Sequence, residues 1–237
     1  PAYTLMFDKW TLGNDSYNGE DAIKARRFSY LPATSGQIID GAMGPNSDSI
    51  GAQSYNAYLT RAYYPDIFKE AVEGAIGIMH REPAMIELPK AMEGMLDNAT
   101  LLGESLDMLL RKINARQWVT GRVGVLGDIR KDGESVRPVI ALYNEITILN
   151  WDDTSIRDDD VDVRLVVLDE SGYELGSDFT WTYVDKYRVL GLVGEDGVLS
   201  ETGSYGTVLL RDTDDLSGIV LQKPTYMGEN LKELPFI

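Results

Sequence analysis

The chain has 237 residues, 43% of them hydrophobic, enough to bury a core in one large domain or two small ones. It carries no cysteine and a single histidine, which excludes disulfide frameworks, thiolate metal sites, Cys–His catalysis and zinc sites built on two or three histidines. With 38 acidic against 22 basic residues the net charge is −16, which excludes a clamp that grips nucleic acid by releasing counterions.

Such a charge serves solubility, or keeps a surface near DNA without adhesion. The lack of cysteine fits a reducing compartment. Pro1-Ala2-Tyr3-Thr4 has neither the basic start nor the apolar core of a signal peptide. No run of about 18 apolar residues occurs, so no membrane span is expected.

Residues 1–54 read as an irregular polar segment rich in Gly, Ser and Asn, with only short helical or extended pieces, one near Glu20–Phe28. Tyr55–Met79 reads as helix, restarted near Pro65, with Pro65 at the first helical position and Asp66 near the positive end of the dipole. Ile67, Ala71, Ala75 and Ile78 form the apolar stripe, widened by Phe68, Val72 and Met79. Gly74, Ala75 and Gly77 suggest close packing against another element, and Pro83 ends the helix. A second helix is expected over Gly103–Thr120, with Leu102, Leu106, Leu109 and Ile113 on its stripe and Gly121 as its C-terminal cap.

After Gly121 the period changes to two. Arg122–Ile129 and Val136–Tyr143 read as paired strands around a turn at Lys131-Asp132-Gly133-Glu134. Ile146–Trp151 is a short strand. Val161–Leu168 is another, with Val161, Val163, Leu165 and Val167 on one face. Phe179–Tyr183 alternates aromatic and threonine, as an antiparallel strand with one packed face does. Tyr187–Val193, Gly206–Arg211 and Gly218–Gln222 complete the set. Helices first and an antiparallel sheet second make the fold class α+β, not a doubly wound sheet. The expected organisation is the irregular segment 1–54 followed by one composite domain, 55–237, with helices over 55–120 and sheet over 121–237.

Few residues carry chemistry. His80 sits at a helix end beside Arg81, Glu82 and Pro83, where a cation suits the dipole. Gly121, Gly124 and Gly127 follow a helix and lie in a strand. That is the wrong context for a dinucleotide fingerprint or a P-loop, and the right one for a strand packed closely on a helix. The acids Asp152-Asp153 with Asp158-Asp159-Asp160, and Asp212, Asp214 and Asp215, form oxygen-rich loops of the kind that hold calcium. Neither has the spacing of a twelve-residue calcium loop, so they read as solvated charge. No carboxylate pair is singled out for glycosidase work. Tyr63-Tyr64, Trp151 and Trp181–Tyr183 lack the interleaved Lys and Arg of a base-stacking surface, and read as core or subunit-interface packing.

Short strings recur in a recognisable order: Tyr30-Leu31-Pro32; Tyr55–Arg61, then Phe68–Pro83 closing on Arg81-Glu82-Pro83; Thr120–Leu126; Arg137–Tyr143; Ile148-Leu149-Asn150-Trp151; Tyr187–Leu190; and Leu234-Pro235-Phe236-Ile237. From about Leu31 to Ile237 the chain resembles a portal-like family of tailed phages and prophages, known mainly as a domain of unknown function. It departs in an extra loop over Gly41–Ser54. It also stops where portals continue into the channel-lining helices, the clip and the crown, so what it resembles is the N-terminal, outer wing part.

The resemblance implies a structural, non-enzymatic ring subunit, usually in a dodecamer, at one capsid vertex of the virion, made in the bacterial host cytoplasm. The implied partners are copies of itself, capsid protein, terminase and head–tail adaptors. Double-stranded DNA would pass through without sequence-specific binding, and no membrane is involved. No catalytic, cofactor-binding or metal residue carries over. The alternatives are another virion or tail structural or adaptor protein and, less favoured, a carboxylate-based hydrolase.

Overall fold

A computed structural model describes residues 2–132, 135–152, 163–197, 199–200, 203–211, 220–226 and 229–237. Among them, six α-helices precede ten short β-strands, and every strand pairing is antiparallel, so the fold is α+β. No helix among the described residues is long and apolar enough to cross a membrane.

The chain divides into two compact units, one of residues 6–84 and 117–121, the other of residues 1–5, 85–116 and 122–237. This differs from the expected split at residue 54. The N-terminal stretch is not irregular: it holds α1 (Ala2–Asn18), α2 (Glu20–Ala25) and α3 (Ser35–Ile39), and α4 (Ile50–Arg61) begins inside it. Polar composition masked these helices, two of which, α3 and α4, are started by local caps and not by an apolar stripe. Thr34 and Gln37 make a reciprocal capping box on α3. Ser49 caps α4 by accepting from the Ala52 N–H. Gly51 lets α4 lie directly on the backbone of residues 37–42, where a Cβ would overlap the Ala42 nitrogen at 2.6 Å.

In this helical unit α5 spans Ile67–Met79, with Asp66 at its N-cap and Pro65 just outside. The buried side of α5 differs from the expected stripe. Val72 is buried and Phe68, Ala75 and Ile76 are half-buried, whereas Ile67 and Ile78 are 69% and 78% exposed. The apolar arc of the helix is wide and leaves only the side of Lys69, Glu70 and Glu73 polar, so periodicity identified a helix without choosing which part of the arc faces inward. Gly74 and Gly77 have open space where a Cβ would stand, so no close packing explains them within the chain.

The part of α6 (Leu106–Thr120) up to residue 116 belongs to the sheet unit, where Leu109 is buried and Leu106 and Ile113 pack beside it against Met95, Ala99, Ile140 and Leu142. Leu102 lies before the helix and is 85% exposed. Gly121 ends α6 with φ +74°, the left-handed cap that its position predicted. Then β1 (Val123–Asp132) and β2 (Ser135–Asn144) form a hairpin whose register closes Asp132 on Ser135. The central turn residues Gly133 and Glu134 lie outside the described residues.

A second sheet runs β3 (Ile148–Trp151), β4 (Leu165–Asp169), β7 (Lys186–Val193) and β8 (Ser204–Arg211) in spatial order. Two small hairpins complete the unit, β5 (Gly172–Leu175) with β6 (Trp181–Val184), and β9 (Thr225–Tyr226) with β10 (Glu229–Asn230). Hairpin β1–β2 and the four-stranded sheet share one core of Leu126, Ile148, Val166, Leu168, Leu190 and Leu192. The inner face of β4 is Val166 and Leu168, the parity opposite to that expected. Both faces of this strand are apolar, so alternation left the choice open. Val161 and Gly218 lie outside the described residues.

The glycine-spaced strand packs on a chain segment and not on a helix. A Cβ at Gly124 would overlap the Phe236 ring and meet Ile148 Cδ1 at 2.9 Å. Residues 235–237 lie along β1, with the Val125 N–H donating to the Ile237 carbonyl at 2.8 Å and the Gly127 N–H to the Pro235 carbonyl at 2.8 Å.

Candidate functional site

Among the described residues, those singled out from sequence form no metal-ligating cluster. His80 is the C-cap of α5, its N–H donating to the Ile76 carbonyl at 3.0 Å. Asp152 is held by Arg164, whose Nε donates at 2.5 Å with both side chains mostly buried. Asp153, Asp158, Asp159, Asp160, Asp212, Asp214 and Asp215 lie outside the described residues. Among the described residues, no three His, Asp or Glu side chains are grouped as a cation site requires. Trp151 is half-buried under Arg122, whose guanidinium carbon lies 3.7 Å from the ring centroid. Burial pushes the Arg122 guanidinium below its ordinary value, opposed by the charge of Glu145.

Two polar clusters escaped the sequence reading. In the helical unit Asp15 is buried, and it accepts from Arg26 Nε at 2.7 Å and from the Tyr30 hydroxyl at 2.8 Å. Burial, then the hydrogen bond and charge of Asp15, push the Tyr30 hydroxyl up to about 12. In the sheet unit Glu170, just after β4, accepts from Tyr143 of β2 at 2.5 Å and from Arg188 of β7 through Nε at 2.5 Å and Nη2 at 3.1 Å. Their partners are 27 and 18 residues distant in the chain, so spacing could not reveal them. The available signal was a lone Arg within the apolar string of β7.

Burial drives the Glu170 carboxyl upward, but the hydrogen bonds from Arg188 and Tyr143 and the charges of Arg188 and Lys186 outweigh it and hold its pKa below the ordinary range. Both oxygens are occupied, so the cluster acts as a strut between hairpin β1–β2 and the larger sheet. Burial and the Glu170 contact push Tyr143 upward.

No protein-family model and no curated protein matches the chain.

What remains are surfaces. The β5–β6 hairpin carries Tyr173 and Leu175 directly across from Tyr183 and Trp181. All four are more than half exposed, and Phe179 in its turn is 85% exposed. The expected packed face of this strand is therefore open to solvent. Tyr173 and Tyr183 meet edge to face with centroids 5.2 Å apart. The helical unit has a cavity of about 260 Å³ walled by Leu12, Ile23, Tyr30, Leu31, Ala62 and Tyr64, with Glu20 and Lys24 on one side and Tyr63 at its rim. Residues far apart in sequence build it: α1 supplies Leu12, α2 supplies Ile23, and the segment after α4 supplies Ala62 and both tyrosines.

The strut sets a pH dependence. A depressed folded pKa stabilises the fold fully above the unfolded value, about 4.3 for glutamate, and that contribution fades as pH falls through the folded pKa. Tyr143 acts with the opposite sign: its raised pKa gives stability that is complete below about pH 10 and fades above it. Glu170→Gln is expected to flatten the acid side of the stability curve. Tyr143→Phe is expected to flatten the alkaline side. Guanidinium unfolding followed across pH measures both, and acid limbs of equal slope in the parent and Glu170→Gln would refute the assignment.

Proposed function

We propose that the chain is a structural part of a tailed-phage portal ring, in the outer wing, and acts as one copy among many and not through reactive side chains. The observation that carries this reading is the pair of open apolar surfaces on a strongly acidic chain. One is the face of α5 with Ile67, Ala71, Gly74 and Ile78, and the other is the aromatic hairpin β5–β6. Soluble chains rarely leave large apolar side chains grouped in water unless a partner covers them. Small residues such as Gly74 let a second backbone approach closely. The charge of −16 supports passage of DNA beside the ring without adhesion. The order of elements, helices and then an antiparallel sheet, is the order the portal resemblance implies. Copies related by rotation would bury different faces of each neighbour, a heterologous contact that closes when the rotation closes. The partners proposed with this reading are capsid protein, terminase and head–tail adaptors.

Electron microscopy of the full-length gene product that contains this chain tests the reading. Rings with an axial channel are the expected result. Monodisperse single copies at high concentration, with the acidic groups gathered around a small molecule, would overturn it.

A further inference from the structure

We propose that the cavity of the helical unit is a binding site for a small, uncharged aromatic compound, a single ring with a polar substituent or a fused pair of rings. The proposal goes beyond the ring-subunit reading and does not depend on it.

The walls of the cavity are fixed by the protein's own hydrogen bonds. Tyr30 is pinned by its hydroxyl, which donates to the buried Asp15 at 2.8 Å, and Arg26 holds Asp15 in turn at 2.7 Å. Leu31 is pinned by its carbonyl, which accepts from the hydroxyl of the buried Tyr55 at 2.8 Å. The segment after α4 is tied to α2 by the Tyr64 N–H, which donates weakly to Glu20 at 3.5 Å. A site whose walls are set in advance spends little free energy on ordering when it binds. Ile23 is the buried member of the lining, whereas Leu12 and Tyr63 are 50% and 80% exposed, which leaves a mouth for entry.

Size and lining select the class of ligand. A dry apolar cavity of roughly 150 Å³ holds a benzene. At about 260 Å³ this one admits a ring with its substituent, or two fused rings. Leu12, Ile23, Leu31 and Ala62 offer aliphatic contact, and three tyrosine rings offer faces and edges on which a planar ring packs well. The charged residues of the lining, Glu20 and Lys24, neutralise each other at 2.6 Å. A charged ligand would lose its water and meet no opposite charge in excess, so the lining favours a neutral one. The Ser16 hydroxyl adds a donor and an acceptor for the polar substituent. The net charge of −16 repels acidic partners and does not oppose a neutral molecule.

Titration of the chain with phenol and with indole, followed by amide chemical shifts, tests the proposal. Benzoate and benzylamine, which place opposite charges on the same ring, are the controls. The expected result is saturable one-site binding of a neutral probe, with shifts centred on residues 12, 16, 23 and 62–64. Both charged probes are expected to bind about tenfold more weakly or less. Ala62→Trp fills the cavity and is expected to abolish binding. Ser16→Leu adds bulk from a half-buried position on α1 and keeps the test valid if the tryptophan variant fails to fold. Absence of saturation, shifts scattered over the surface, charged probes that bind as well as neutral ones, or a folded variant that binds like the parent overturns the proposal. Tighter binding of N-acetyltyrosine amide than of phenol would make the occupant a partner's side chain and overturns it equally. None of these results bears on whether the full-length product forms rings.

Discussion

Tyr55→Ala is expected to destabilise the helical unit by about 4 kcal/mol, within the range for removing a large buried aromatic side chain. Tyr55 lies on α4 and is fully buried. Its ring stacks on Phe28 with centroids 4.3 Å apart. Its hydroxyl donates to the Leu31 carbonyl at 2.8 Å, which ties α4 to the chain between α2 and α3. Alanine would remove the stacked ring, leave a cavity and strand that carbonyl. Tyr55→Phe separates the terms, because it keeps the ring and loses only the hydrogen bond, at a cost of about 1 kcal/mol. Denaturant unfolding followed by the helical circular dichroism signal measures both. If the alanine variant lost no more than the phenylalanine variant, the ring would not be the anchor of this unit.

Leu190→Ala is expected to cost about 3 kcal/mol in the sheet unit, with Leu190→Met costing under about 1.5 kcal/mol. Leu190 sits at the centre of β7, across from Val166 of β4 on one side and Thr207 of β8 on the other. It is fully buried among Leu126, Ile148, Leu168 and Leu192, so it joins the hairpin β1–β2 to the larger sheet through one core. Interior packing is dense, and alanine leaves a void that the surrounding strands fill only in part. Methionine keeps the volume and tests whether shape or bulk matters. The measurement is the unfolding midpoint in guanidinium at constant slope, and an alanine variant within about 1 kcal/mol of the parent would place the core elsewhere.

Local signals carried the elements they govern. The break near Pro65, the cap at Gly121 and the pairing of residues 122–129 with 136–143 each follow from one or two residues and their neighbours. Helix α1 has no such signal: its buried residues are Trp10 and Asp15, and Asp15 is held by Arg26 and Tyr30, 11 and 15 residues along the chain. The Tyr143–Glu170–Arg188 strut and the cavity beside Ile23 were equally hidden, because each assembles residues from separate elements. The exposed hairpin was misjudged for a related reason: alternation of Phe179, Trp181 and Tyr183 marks one apolar face, and not what covers it.

From the amino-acid order alone came the acidic character, the want of cysteine and of paired histidines, and the succession of helices and antiparallel strands that makes the fold α+β. Those properties are sums over residues or consequences of near neighbours. The tertiary structure alone decided which face of α5 and of β4 points inward, that Trp10 and Asp15 are the buried residues of α1, and where apolar side chains stay in water. A side chain's burial depends on what the rest of the chain brings against it, and near-neighbour pattern carries no record of that.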